Sequence, residues 1–280
     1  MKTFSQKDIN IKGSNVEGND VKLNAKENLK ITASENTNKT EQNSKSSSAS
    51  IGATIGVGGL QGINVGYSKS QGNIKENGTT YNESTVTANK NMEFTSGKDT
   101  NIQGGKVSGD KVIGNVGGDL NIESKQDSNS YEEKNTSAGV NIDYNFGSHK
   151  IGVGGSAGTS NIDSNYNSVT DQSGIYAGNE GFNINVEKNT DLKGGIIGSK
   201  AESDKNKIST GTLTYEDIKN KAEYEADSKG IAVDTTKDAE KEDAGVTPNI
   251  GMPAGDEAES TTKSTIAEGE IEIRDKENQK

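Results

Sequence analysis

The chain has 280 residues, of which 27% are hydrophobic and 4% aromatic, with 35 Gly, 2 Pro and no Cys; 31 Lys+Arg against 42 Asp+Glu leave a net charge of -11. Zero Cys excludes disulfide staples, thiolate metal sites and cysteine nucleophiles, and the single His149 leaves little material for histidine-based metal or acid–base chemistry. Ile, Val, Leu and Phe together make up only about 17% of the residues, below the ~20% under which a charged chain is expected to be disordered. Either the chain is disordered or it folds as repeats, whose thin cores need few large side chains.

At the N-terminus, Met1-Lys2-Thr3 leads into polar sequence without the apolar core of a signal peptide, so the chain reads as an internal segment of a longer protein. No stretch approaches the roughly 20 apolar residues of a membrane-spanning helix. Arg274 is the only arginine beside 30 lysines, which removes the bidentate contacts that nucleic-acid readers favour. Nucleic acid is therefore not an expected partner, and no cofactor is expected.

The dominant signal is an internal repeat. Asn10, Ile11, Gly13, Val16 and Gly18 recur as Asn101, Ile102, Gly104, Val107 and Gly109. In the same register Val21 matches Val112, Leu29 matches Leu120 and Ile31 matches Ile122, and a weaker third copy carries Gly194. The units run over about 10–100 and 101–190, with a third opening at 191. Apolar residues spaced two apart in short bursts, separated by Gly, Asn and Asp, predict short strands and turns. Such strands become stable only when stacked along an axis, so the expected fold class is all-β: a parallel β-solenoid, with Asn side chains bonded in ladders at its turns.

Each unit also carries a predicted hairpin extruded from that solenoid. Ile51, Ala53, Ile55 and Val57 turn through Gly58–Gly62 and return as Ile63, Val65 and Tyr67; Val140, Ile142, Tyr144 and Phe146 turn at Gly147–Lys150 and return as Ile151 and Val153. His149 is expected to be an exposed turn residue. Asp99 and Asp119 are the carboxylates an acid–base pair would use, but their counterparts Asp8, Asn189 and Asn28 read as turn residues. Gly117-Gly-Asp119 and Gly154-Gly-Ser156 lack the iteration of calcium-binding nonapeptides. The sequons opened by Asn38, Asn77, Asn82 and Asn135 are expected by accident among 32 Asn.

Near residue 200 the composition changes, with 28 of 32 Asn and 29 of 35 Gly falling before it and the acidic excess after it. Solenoid repeats are therefore expected over 1–211. Thr214-Tyr-Glu-Asp217, followed by Ile218 and Ala222, resembles a capping box, giving a short helix from about 215 to 228 within a 212–233 capping element. Acidic residues and both prolines predict a flexible linker over 234–264, and Ile271 with Ile273 starts a following strand or domain in 265–280.

The Asn-Ile-x-Gly-x-x-Val-x-Gly units and Gly-rich hairpins resemble the haemagglutinin repeat of filamentous haemagglutinin-like exoproteins of two-partner secretion, a family that includes contact-dependent growth inhibition toxins. Thr212–Ala222 looks like the element that follows such repeats, and Thr265–Arg274 resembles the strand before the toxin-bearing part. The resemblance implies that the solenoid is a right-handed parallel β-helix and that the chain is a non-enzymatic stalk or translocation module of a secreted protein on the bacterial surface. The partners it implies are an outer-membrane two-partner secretion transporter, acting on the full-length protein, and a target-cell or host-cell surface. A filamentous adhesin without a toxin is the alternative, and a carbohydrate-active β-helix enzyme is the alternative of another class.

Overall fold

A computed structural model describes residues 1–238 and 241–279. The chain winds as a right-handed parallel β-helix of triangular section, each rung laying one short strand on each of three faces. Rung 1 comprises β1 (Lys2–Ser5), β2 (Ile9–Lys12) and the first half of β3 (Asn15–Ala25). Rung 2 takes the rest of β3 and β4 (Leu29–Thr32), leaves the solenoid as β5 (Ser34–Gly56) and β6 (Gly59–Asn82), and returns in β7 (Ser84–Ser96). Rung 3 continues through β7, β8 (Thr100–Gln103) and β9 (Gly105–Val116) without an excursion.

The alternation then repeats. Rung 4 uses the end of β9 and β10 (Leu120–Glu123), leaves as β11 (Asp127–Asn145) and β12 (Lys150–Ser168), and returns in β13 (Gly174–Lys193). Rung 5 is plain, from β13 to β14 (Ile196–Ser199). Rung 6 starts with β15 (Lys207–Glu216), leaves as β16 (Ile218–Asp238), β17 (Lys241–Ile250) and β18 (Ala254–Thr262), and returns in β19 (Thr265–Ile266), after which β20 (Glu270–Ile273) opens rung 7.

Strand register explains the sequence period. On the first face Thr3 pairs with Leu23, Leu23 with Phe94, Phe94 with Gly114 and Gly114 with Ile184, steps of 20, 71, 20 and 70 residues. One plain rung and one excursion-bearing rung together make the unit of about 90 residues read from the sequence. The repeat motif is the inner wall of these rungs. Ile11, Ile31, Ile102 and Ile122 stack in one column with Leu192, and Val16, Val86, Val107, Ile175 and Ile197 in another. Val21, Leu29, Val112 and Leu120 belong to the same buried core, which also takes in Leu23, Met92, Phe94 and Phe182 and is filled mostly by Ile, Val and Leu. Asn10 and Asn101 sit on the outer side of the same strands, and Asn101 Oδ1 accepts from Asn121 Nδ2 at 3.0 Å.

Gly13, Gly104 and Gly194 occupy one corner of the three plain rungs, with φ of 53°, 65° and 55°. An added Cβ there would lie 2.4 Å from Ser34, 2.5 Å from Ala33 and 2.6 Å from Ile218, residues at the bases of the excursions on neighbouring rungs. Excursion-bearing rungs leave the solenoid at this corner, so the glycine marks a rung that stays in. Gly104→Ala is expected to cost about 1–2 kcal/mol in left-handed strain alone, more with the clash, read as a lower urea midpoint. Gly18 and Gly109 lie at another corner, in a row of small residues with Ala88 and Ala177.

The excursions form a second, wholly antiparallel sheet in the order β5-β6-β11-β12-β16, with β17 and β18 both on the far side of β16. Each excursion of rungs 2 and 4 contributes two strands and recurs every second rung. Strands in a sheet and rungs in a solenoid share the same spacing of about 4.8 Å, so a two-stranded excursion every two rungs keeps both sheets in step.

Several expectations are corrected. Residues 215–228 form no helix but run through β15 and β16. The three- and four-residue spacing of Tyr215, Ile218 and Ala222 also permits an extended chain, and pairing with β12 over Lys221–Thr236 decides for strand. The boundary at 211 falls inside β15, because inward apolar residues continue through Ile208, Ile266 and Ile271 on the same columns. The linker over 234–264 is largely strand, β17 and β18 pairing with β16, with 239–240 outside the described residues. The compositional change near 200 thus marks a more acidic third excursion. The hairpins are also longer than their apolar tips, spanning 34–82 and 127–168, since backbone pairing to neighbours carries stretches such as Ser44–Ser50 that show no apolar alternation.

Candidate functional site

The carboxylates nominated for chemistry are used by the backbone. At the corner between the first two faces, Asp8 Oδ1 accepts from the N–H of Asn28 (2.9 Å), Asn28 Oδ1 from Asp99 (3.3 Å), Asp99 Oδ1 from Asp119 (3.0 Å) and Asp119 Oδ1 from Asn189 (3.0 Å). Five successive rungs are thereby tied by four Asx side chains, one at each junction, and Asp and Asn interchange because only the acceptor oxygen is needed. The backbone and side-chain N–H groups of Asn28 hold the Asp8 carboxyl below the ordinary value. Gly117 fits this corner because a Cβ would lie 2.5 Å from the Gly97 carbonyl. Gly154 and Ser156 lie within β12.

His149 closes the β11–β12 turn at φ 55°, with its Nδ1 3.1 Å from the Tyr144 hydroxyl. The turn is held by Asn145 Oδ1, which accepts from the N–H groups of Gly147 (2.9 Å) and Ser148 (3.0 Å). The β5–β6 turn is tighter than expected: Gly56 pairs with Gly59, so Leu60 and Gln61 already belong to β6, and Gly58 and Gly59 supply positive φ of 118° and 108°. Among the described residues no group of three or more His, Cys, Asp or Glu is placed to hold a metal ion.

The bases of the excursions are wired by residues that sequence reasoning missed. Leaving a rung breaks its backbone pairing, and buried hydroxyls fill the gaps. Ser84 Oγ donates to the Thr32 carbonyl (2.7 Å) and accepts from the Ser14 N–H (3.2 Å), while Ser124 Oγ donates to the Gly194 carbonyl (2.6 Å) and accepts from the Ser173 N–H (2.9 Å). Lys106 on rung 3 bridges the return legs of two excursions, reaching Glu83 at 2.9 Å and Asp171 at 2.7 Å. Lost solvation opposes its charge, yet hydrogen bonds to Asp171 and Glu83 hold its pKa above the ordinary lysine value; burial pushes the Glu83 carboxyl up, with Lys106 opposing. A lone serine or lysine in a chain rich in both gives no sequence signal for these roles. Arg274 does carry one, as the single arginine: its guanidinium donates to Asn185 Oδ1 (3.1 Å), Ser209 Oγ (2.7 Å) and the carbonyls of Val186 and Glu187 (2.5 and 3.1 Å), fastening rung 7 to rung 5.

The second sheet presents the most distinctive surface. In its distal half, the ladder Ile51–Val65–Ile142–Val153 and the flanking Ile63, Tyr67, Val140 and Val233 project from one face and remain exposed. The alternate positions, including Ser50, Gly66, Asn141 and Gly154, face the other way. One side of this sheet is therefore apolar and the other small and polar.

A hemagglutinin repeat model matches residues 2–138 and 133–230. Over 98% of its length the chain is 38% identical to "Toxin CdiA" of Escherichia coli, of which it spans 9%. It is also 37% identical over 98% of its length to a "tRNA nuclease CdiA" of Escherichia coli, spanning 9% of it, and 35% identical over 97% to "Deoxyribonuclease CdiA" of Yersinia pseudotuberculosis, spanning 26%. No solved structure matches the chain. With the family model covering the excursion-bearing rungs and the plain rungs alike, the chain belongs to the hemagglutinin repeat family.

Proposed function

We propose that this chain is a non-enzymatic stalk and translocation module of a large secreted exoprotein on the bacterial surface, presenting or delivering a C-terminal toxin in contact-dependent growth inhibition. The observation that carries the proposal is the two-rung unit, a solenoid lengthened by repetition whose side chains are spent on holding rungs together. Relatives bearing toxin and nuclease names share this segment at 34–38% identity. Their names differ in the nucleic acid attacked while the segment stays alike, as a common delivery part would. Export through an outer-membrane two-partner secretion transporter suits a chain without cysteine, since no crosslinked loop has to be threaded. An acid–base pair of a β-helix glycosidase is opposed by the engagement of Asp99 and Asp119 in the corner ladder.

The test is an in-frame deletion of residues 2–279 from the full-length exoprotein, scored for surface display by an N-terminal tag and for killing of target bacteria in co-culture. Display is expected to persist while killing is lost. Undiminished killing contradicts the delivery role, and loss of attachment to epithelial cells with no effect on bacterial competition turns the reading to the adhesin.

A further inference from the structure

The apolar side of the second sheet is a single layer on which none of the described residues packs, whereas a sheet with one apolar face is stable in water when that face is covered. In its distal half the residues on this side are almost all apolar, with Ala138, Ala157, Ile231 and Val246 continuing the patch and Lys69 bringing a charge at its margin. Six strands at about 4.8 Å and about eight residues at about 3.4 Å make a face of roughly 800 Å². That is the share each partner contributes to a standard-sized stable interface, about 800 Å² per side.

The face is also uneven in a self-complementary way. Ala138, Gly155 and Ala157 leave a hollow of about 470 Å³ bordered by Ile231 and Val233, and Tyr67 stands at its rim. A knob and a hole on one surface suit an isologous pairing, in which each copy supplies both. Charge selects the same geometry. The chain carries -11, so two copies repel through most of their surfaces and least through this nearly neutral one.

We propose that the apolar face of the second sheet is covered by the same face of a second copy of this chain, the two sheets packing as a sandwich about a two-fold axis with Tyr67 of each copy seated in the other's hollow over Gly155. Two solenoids would then stand side by side, joined through their excursions. The inference goes beyond the delivery role and does not depend on whether a toxin follows.

Sedimentation equilibrium of the purified chain tests it, with circular dichroism to confirm folding of each variant. The wild-type chain is expected to dimerise reversibly. Ile142→Lys, on the apolar side, is expected to weaken the dimer by about 100-fold or more, as for a residue central to an interface, whereas Asn141→Lys, one residue away on the polar side, leaves it unchanged. Because the chain has no Cys, Val140→Cys offers a second reading: oxidation should link copies through this face, while Ser68→Cys on the other side should not. Three results overturn the proposal: a monomer at every concentration, a dimer indifferent to Ile142→Lys and hence formed by strand edges, or a monomer that floats with phosphatidylcholine vesicles, which would make lipid the cover.

Discussion

Replacing Phe94 with alanine is expected to destabilise the chain by about 3–5 kcal/mol, the range for removing a buried aromatic side chain. Phe94 is 1% exposed and leans along the stack over the next rung, where its partner in register on the same face is Gly114. A Cβ on Gly114 would lie 2.4 Å from the Phe94 ring, so the ring occupies the volume a side chain at 114 would take. Two consequences follow from that shared volume. Gly114→Leu alone should cost about 1–3 kcal/mol through overpacking. Combined with Phe94→Ala, the same change should be less harmful or even stabilising, with a coupling of about 1–3 kcal/mol across the pair. Urea denaturation of the four proteins closes the cycle, and additive losses would show that the two positions do not share a cavity.

The sequence displays the solenoid well because each rung repeats the same demands. Ile11, Ile31, Ile102 and Ile122 are one column of side chains, so a period-two burst and its recurrence both appear along the chain. Gly13 and Gly104 are legible for the same reason: a left-handed corner accepts little else. The unit of about 90 residues hides its own division, however, because 20 residues of plain rung and 71 of excursion-bearing rung look like one period until the strands are paired.

Other features leave no local trace. β16 is read as helix from Tyr215, Ile218 and Ala222 because its strand character comes from β12, more than fifty residues away. Ser84, Ser124 and Lys106 act where a backbone bond is missing, which is a property of the turn in space and not of neighbouring residues. The apolar tips of the excursions are visible as alternation at Ile51, Val65, Ile142 and Val153, but nothing in that alternation tells whether the face is covered.

Excursions and rungs are commensurate, two strands for every two rungs, and a pair of deletions puts this to the test. Removing Glu93–Val112 deletes one plain rung of 20 residues and joins Met92 to Ile113, register partners' neighbours, so the solenoid wall continues unbroken. It also leaves two excursions on adjacent rungs, anchored about 4.8 Å apart where two hairpins side by side need about 9.6 Å. Removing Lys22–Val112 deletes 91 residues, one whole unit, and joins Val21 to Ile113 with the alternation intact. Hydrogen exchange and thermal melts of both proteins are the measurement. The larger deletion is expected to keep a cooperative melt and protected amides in β11, β12 and β16, while the smaller one loses protection across the second sheet and melts at a lower temperature. A small deletion as stable and as well protected as the large one would show that excursions and rungs need not keep the same spacing.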